Sequence, residues 1–340
     1  MAGGPSTPAL AAAVSGAGGL GFLAAGYRSV GALERDVDEL RSGLRTDVPY
    51  GVNVFVPSEH ATTSDEITAY AERLDADARR RGVTLGVPRW DDDGYHDKLA
   101  LLRAQRVPVV SCTFGCPTTD DVDSLHAAGS AVWVTVTTAA EAKAASIVGA
   151  DALVVQGVEA GGHRGGFDDA RPGDVGLLAL LQLVQVAVDA VPLVASGGLS
   201  TGAGVAAVLA AGAAAAQLGT AFLLAPEAGT DAAHRDLIGR ADRPTALTRA
   251  FTGRTARGIS NRFMEQHSDG APSAYPEVHH LTSPLRAAAR SAGDAEGFQL
   301  WAGQSYHLAR RAPAAEIVRG LTDEATAALD RAGRRLNQRR

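Results

Sequence analysis

Ala152-Leu153-Val154-Val155-Gln156-Gly157-Val158-Glu159-Ala160-Gly161-Gly162-His163-Arg164-Gly165 reads as a buried strand that runs directly into a glycine-rich turn. Consecutive apolar residues at 152–155 suit a strand covered on both faces, as in a parallel sheet flanked by helices. The glycines at 157, 161, 162 and 165 let the backbone approach a ligand closely or take positive φ. A single imidazole sits in the turn, at the carboxyl end of a strand, where α/β enzymes keep their chemistry.

Working outward, strand candidates followed by helical patterns recur at 20–24, 51–55, 107–111, 131–136, 152–155, 193–195 and 214–218. Helix start signals separate them: Ser6-Thr7-Pro8 places a cap before a first-turn proline, and Ser200-Thr201 opens residues 202–211. Strands alternating with helices predict a TIM (β/α)8 barrel, which needs eight strands where seven are found. The chain opens on Met-Ala-Gly-Gly-Pro, which reads as the loop after a strand. The expectation is that the first barrel strand lies upstream of Met1 or that another segment fills the gap, since two facing unpaired edges are a liability. Residues 1–225 and about 305–340 are assigned to the barrel. Residues from about 226 to 304, rich in proline and histidine and without strand alternation, are assigned to a smaller, mostly helical insertion over its mouth. A final helix at roughly 314–332 is expected to pack back on the barrel. Arg331, Arg334, Arg335, Arg339 and Arg340 read as a frayed, solvated tail.

Composition excludes several classes. With 46% apolar and 21% charged residues and a formal charge of −6, the chain can bury a large core and carries no basic field for nucleic acid. No basic leader and no charge-free run of the roughly 18–20 residues that span a bilayer is found. The apolar stretch 203–225 contains Gln217 and reads as a helix plus a strand. Cys112 and Cys116 make neither a disulfide framework nor a metal site, and reduced thiols fit a cytoplasmic enzyme. No His, Asp or Glu cluster has metal-ligand spacing. The two lysines, Lys98 and Lys143, fall in predicted helices, so Schiff-base chemistry has little support.

Two further turns carry chemistry. Ala195-Ser196-Gly197-Gly198 and Gln217-Leu218-Gly219-Thr220 follow the last two barrel strands, where such barrels bind phosphate with backbone N–H groups and a helix N-terminus. Thr220 adds a hydroxyl. Asn53, Gln156 and Gln217 place three amides on apolar strands around one mouth, and a polar heterocycle such as a flavin edge would satisfy them. Glu159 and Arg164 flank His163, with Arg164 placed to bind an anionic substrate or to tune the imidazole.

At these residues the chain resembles the nitronate monooxygenase family, formerly the 2-nitropropane dioxygenases. The resemblance rests on Met1–Pro8 through Gly19–Tyr27, Gly51-Val-Asn53, Gln156–Gly165, Ala195–Gly198, Gln217–Thr220, Gly253–Gly258 and Trp301-Ala-Gly-Gln304, in that order. It implies an FMN-dependent TIM barrel, FMN contacts at Asn53, Gln156, Gly161, Gly198, Gln217, Leu218, Gly219 and Thr220, and His163 as the catalytic residue. It implies oxidation of small alkyl nitronates, and of nitroalkanes, by O2 to a carbonyl compound and nitrite; the sequence leaves the oligomeric state open between monomer and homodimer. Family members carry a strand ending in Pro-Met before the Ala-Gly-Gly turn, so Met1 resembles that internal methionine. The alternatives are an NAD(P)H-dependent enoyl-thioester or quinone reductase on the same barrel, and an inactive flavin-binding protein lacking a strand.

Overall fold

A computed structural model describes residues 1–58 and 64–338. Helix α1 (Pro8–Gly16) leads into β1 (Gly21–Ala24), followed by α2 (Val30–Ser42), β2 (Tyr50–Phe55), α3 (Ser64–Arg81), α4 (Tyr95–Ala104) and β3 (Val109–Thr113). Then come α5 (Thr119–Ala127), β4 (Ala131–Val136), α6 (Ala139–Ile147), β5 (Ala152–Gln156) and the two-residue β6 (Gly162–His163). Next are α7 (Leu177–Ala187), β7 (Leu193–Ser196), α8 (Gly202–Ala210) and β8 (Ala215–Gln217). The remainder holds α9 (Ala232–Arg240), β9 (Thr245–Thr248), β10 (Ala256–Ile259), α10 (Arg262–His267), α11 (Glu277–Ser291) and α12 (Ala314–Asn337).

Seven strands form one parallel sheet in the order β1-β2-β3-β4-β5-β7-β8, curled as a barrel with helices outside. All seven are those the apolar runs predict; β3 starts two residues later than predicted. Among the described residues, no strand pairs with the outer edge of β1 or β8.

The period of two along each strand sorts side chains between two environments. In β5, Leu153 and Val155 join the large core between sheet and helices, while Ala152 and Val154 pack with Val194 and Trp133 on the other face, inside the barrel. Gly51 is small because Phe22 fills that interior: a Cβ there would lie 2.2 Å from the Phe22 ring. Capping works as predicted. Thr7 accepts from Leu10 N with Pro8 in the first turn, and Thr201 accepts from Gly204 N. Helix α12 packs on α8, where Gly202 N donates to Glu324 at 3.0 Å. It runs on to Asn337, so Arg331, Arg334 and Arg335 lie on a helix and not in a frayed tail. Arg339 and Arg340 lie outside the described residues.

The segment after 226 departs from its reading as strandless. Helices dominate it, but β9 and β10 pair antiparallel, and β6 extends that sheet with Ala256 opposite His163. Half of the predicted 253–258 loop is therefore strand. Helix α3, although it follows β2 in the chain, buries Tyr70 and Leu74 with Phe251, Phe263, Leu281 and Leu285 in a second core.

Candidate active site

The polar ends of the barrel strands meet on the interior face. Asn53 is half-buried, and its Nδ2 donates to Thr113 Oγ1 at 2.8 Å and to Ser111 Oγ at 3.1 Å. Thr113 Oγ1 in turn lies 3.2 Å from Thr135 Oγ1. Ser111, Thr113 and Thr135 were not singled out from sequence. Their signal is the alternation itself, which puts Ser111, Thr113 and Thr135 on one face of their strands, between the buried apolar residues Val110, Cys112 and Val134.

Gln156 sits at the interior end of β5 and is tied up by the turn that follows it. Its Oε1 accepts from Gly165 N at 2.9 Å and Arg164 Nη1 at 3.0 Å, while its Nε2 donates to the His163 carbonyl at 3.2 Å. Arg164, 2% exposed, also donates to Gly157 O at 2.6 Å. Its guanidinium therefore points back under the turn, which overturns the expectation that it meets substrate or tunes the imidazole. Glu159 also turns away, capping α7 by accepting from Leu177 N at 3.0 Å. Gln217 is exposed on β8, whereas Asn53 and Gln156 are half-buried.

His163 is half-buried. Its Nε2 lies 2.8 Å from Thr252 Oγ1, and its ring meets Trp301 at 5.4 Å, Phe114 at 5.6 Å and Tyr275 at 6.0 Å between centroids. Arg254, 2% exposed, stacks its guanidinium 4.1 Å above Phe114 and donates to the carbonyls of Arg164 and Gly166. Arg286 is likewise buried, donating to His279 O at 2.8 Å. Among the described residues no carboxylate lies within ion-pair distance of either arginine. Burial first, then the positive charges of Arg254 and Arg286, push the His163 imidazole down to about 3, so it is neutral at physiological pH.

The glycine loops converge on the same mouth. Gly197 and Gly198 take φ of +113° and +67°, and a Cβ on Gly198 would lie 2.9 Å from Glu159 Cβ. Gly161 faces the backbone of 302–303, where its Cβ would lie 2.4 Å from Gly303 N. The 301–305 segment closes the set: Gln304 N donates to Glu159 O, Gly303 N to Thr220 Oγ1, each at 3.0 Å, and Ser305 Oγ lies 2.8 Å from Ser200 Oγ. Leu218 packs into the core beneath α12. The N–H groups of Gly198, Gly219 and Thr220 meet no acceptor among the described residues.

A cavity of about 370 Å³ adjoins this cluster behind Tyr275, lined in part by Tyr27, Arg89, Asp93, Lys98 and His279. Lys98, 1% exposed, pairs with Asp93 at 2.7 Å, and Asp93 Oδ1 accepts from Tyr27 N at 2.9 Å. No group of three or more His, Cys, Asp or Glu able to hold a metal occurs among the described residues, and no helix there is long and apolar enough to cross a membrane.

The barrel mouth thus joins a neutral imidazole, two buried guanidiniums and amide-rich glycine loops, at the face where such barrels carry their active sites. The family comparison is specific: the nitronate monooxygenase model matches residues 1–324. The chain is 40% identical to nitronate monooxygenase of Pseudomonas aeruginosa over 334 residues, covering 94% of this chain and 93% of that one. Its fold superposes on nitroalkane oxidase from Streptomyces ansochromogenes with a TM-score of 0.93 and 49% identity, covering 96% and 94% of the two chains. FabK from Thermotoga maritima is more distant, with a TM-score of 0.77 and 28% identity over 98% of this chain and 92% of that one. The chain belongs to the nitronate monooxygenase family, whose members are flavin-dependent oxidoreductases.

Proposed function

We propose that this protein oxidises alkyl nitronates with O2 to a carbonyl compound and nitrite, using FMN. The observation that carries the reading is the neutral His163 set beside Arg254 and Arg286, two buried guanidiniums with no carboxylate partner among the described residues. A site of that charge favours an anion, and a nitronate is the anion of a nitroalkane.

The residues fit a flavin mononucleotide. The N–H groups of Gly198, Gly219 and Thr220 suit a phosphate, and Thr220 keeps its hydroxyl proton for that anion because it only accepts from Gly303 N. Asn53 donates from Nδ2 to the strands, leaving Oδ1 for a ring N–H. Gln217 is open to the mouth, Gly161 keeps the 302–303 backbone close, and Gln156 fixes the turn with one amide hydrogen left over. When bound, FMN supplies the redox chemistry. The protein binds the anion near Arg254, orients it against His163 and surrounds it with Phe114, Tyr275 and Trp301. His163 takes the α-proton when a neutral nitroalkane enters. Two free cysteines fit a reducing, cytoplasmic setting.

The decisive measurement is an aerobic assay of the purified protein with a nitronate, following oxygen uptake and nitrite. Nitrite release with flavin released as FMN on denaturation is the expected result. Absence of nitrite, together with rapid flavin bleaching by NADH under anaerobic conditions, would assign the reductase activity instead.

A further inference from the structure

Thr252 touches His163 from a rigid support. It is 2% exposed and lies in a turn where Gly253 N donates to Arg249 O at 2.8 Å and Ala274 N to Gly253 O at 2.9 Å. Gly253 takes φ +79°, and a Cβ there would lie 2.2 Å from Ala274 O, so the turn packs directly against the backbone at 274. Three polar atoms compete for the Thr252 hydroxyl: His163 Nε2 at 2.8 Å, Arg254 O at 3.3 Å and Arg254 N at 3.4 Å. A hydroxyl has one proton and accepts through its lone pairs. If it donated to His163, the buried Arg254 carbonyl would have no other donor among the described residues. If it donates to Arg254 O, it accepts from the Arg254 amide and from His163 Nε2–H, and all four groups are satisfied.

We propose that Thr252 is a positioning residue that fixes the His163 tautomer, with the proton on Nε2 and the lone pair on Nδ1 facing the substrate. Nδ1 has no protein partner among the described residues, and His163 is only half-buried. This deepens the functional reading above and rests on it. With a neutral nitroalkane, the α-C–H bond breaks and its electron pair becomes the C=N bond as N=O electrons move onto oxygen. The proton ends on Nδ1. The transfer turns a neutral pair into an imidazolium and a nitronate of zero net charge. A positive potential from Arg254 and Arg286 therefore penalises one partner and favours the other, and largely cancels.

The test compares flavin-loaded wild type with Thr252→Val and Thr252→Ser, each on a neutral nitroalkane and on the preformed nitronate. A preformed nitronate needs no proton abstraction. Thr252→Val should lower kcat/KM on the nitroalkane by about 10–100-fold, at least tenfold more than on the nitronate, the scale of losing an oriented base. Thr252→Ser should restore the ratio. Nitrogen NMR of histidine-labelled protein, with His163 signals assigned by their loss in His163→Asn, should find Nε2 protonated and Nδ1 bare in wild type, and a mixture in Thr252→Val. A protonated Nδ1 in wild type, or an unchanged substrate ratio in Thr252→Val, overturns the proposal. If neither substrate yields nitrite, the functional reading fails while the NMR still decides the tautomer.

Discussion

Gly161→Ala tests how the mouth is held together. An ideal Cβ at Gly161 lies 2.4 Å from Gly303 N, 2.5 Å from Ala302 C and 2.8 Å from Ala302 Cα, all backbone atoms. Ordinary contact needs about 1 Å more, so one of the two backbones must retreat. Overpacking of this kind costs about 1–3 kcal/mol. Retreat of the 302–304 segment also loosens Gly303 N to Thr220 Oγ1 and Gln304 N to Glu159 O, each at 3.0 Å. At about 1 kcal/mol per bond, a total near 2–4 kcal/mol follows, because strain and bond loss relieve each other in part. The neighbouring Gly162→Ala is the control. Gly162 takes φ +77° with nothing within 4 Å of its would-be Cβ, so alanine there meets only backbone strain of about 1–2 kcal/mol. Urea unfolding of the flavin-saturated proteins gives both stabilities, and fluorescence titration gives flavin affinity. Gly161→Ala should be the less stable of the two and bind flavin more weakly than wild type. Equal stability losses and wild-type affinity would refute the close approach and its link to the loop after β8.

Three other perturbations follow from buried charge. Arg254→Met removes the guanidinium from Phe114 and leaves the Arg164 and Gly166 carbonyls without that donor; thermal unfolding should report a loss of about 2–4 kcal/mol, and the acid limb of kcat/KM should move up as the His163 imidazole rises from about 3. Asp93→Asn strands the Lys98 ammonium, 1% exposed, and should destabilise by about 3–5 kcal/mol, with Lys98→Met in the same chain recovering much of it; an additive double variant would count against the pair. His234, 6% exposed with Nε2 unpartnered, is lowered to about 4 by burial, so the unfolded chain binds its proton first as pH falls. Its contribution is complete above the unfolded pKa near 6.5 and is lost from there down to about 4, at no more than about 1.4 kcal/mol per pH unit; stability curves in which His234→Gln is no flatter than wild type over that window would remove the assignment.

The barrel was legible because each of its strands is an apolar run long enough to stand out. The early start predicted for β3 has a local cause. Val107 N bonds back to Leu102 O at the end of α4, and Pro108 has no N–H for the ladder, so pairing waits for Val109. The second sheet was not legible. In β10 all four residues are buried, including Arg257, whose guanidinium reaches Val158 O at 3.0 Å, so no alternation of apolar and polar marks it. Helix α3 carries an ordinary amphipathic pattern, and nothing in that pattern says that its apolar face turns to α11 and not to the barrel.

The same limit governs the site. His163 stood out because glycines isolate it in a turn, a local feature. Thr252 and Arg254 lie about ninety residues away in sequence and acquire meaning only when β6 pairs with β10, which sets Ala256 opposite His163. That pairing also explains why Gln156 and Arg164 serve the turn before they serve any ligand. A two-residue strand cannot hold its own register. The Gln156 amide and the Arg164 guanidinium bind the turn at both ends, to Gly165 N and to Gly157 O, and Arg254 clamps the Arg164 and Gly166 carbonyls from the far side. Polar residues at a barrel mouth are therefore divided between those that aim the imidazole and those left to meet a cofactor. In the second group, Asn53 Oδ1 and the amides of Gly198, Gly219 and Thr220 keep hydrogen-bonding capacity that the protein does not use among the described residues.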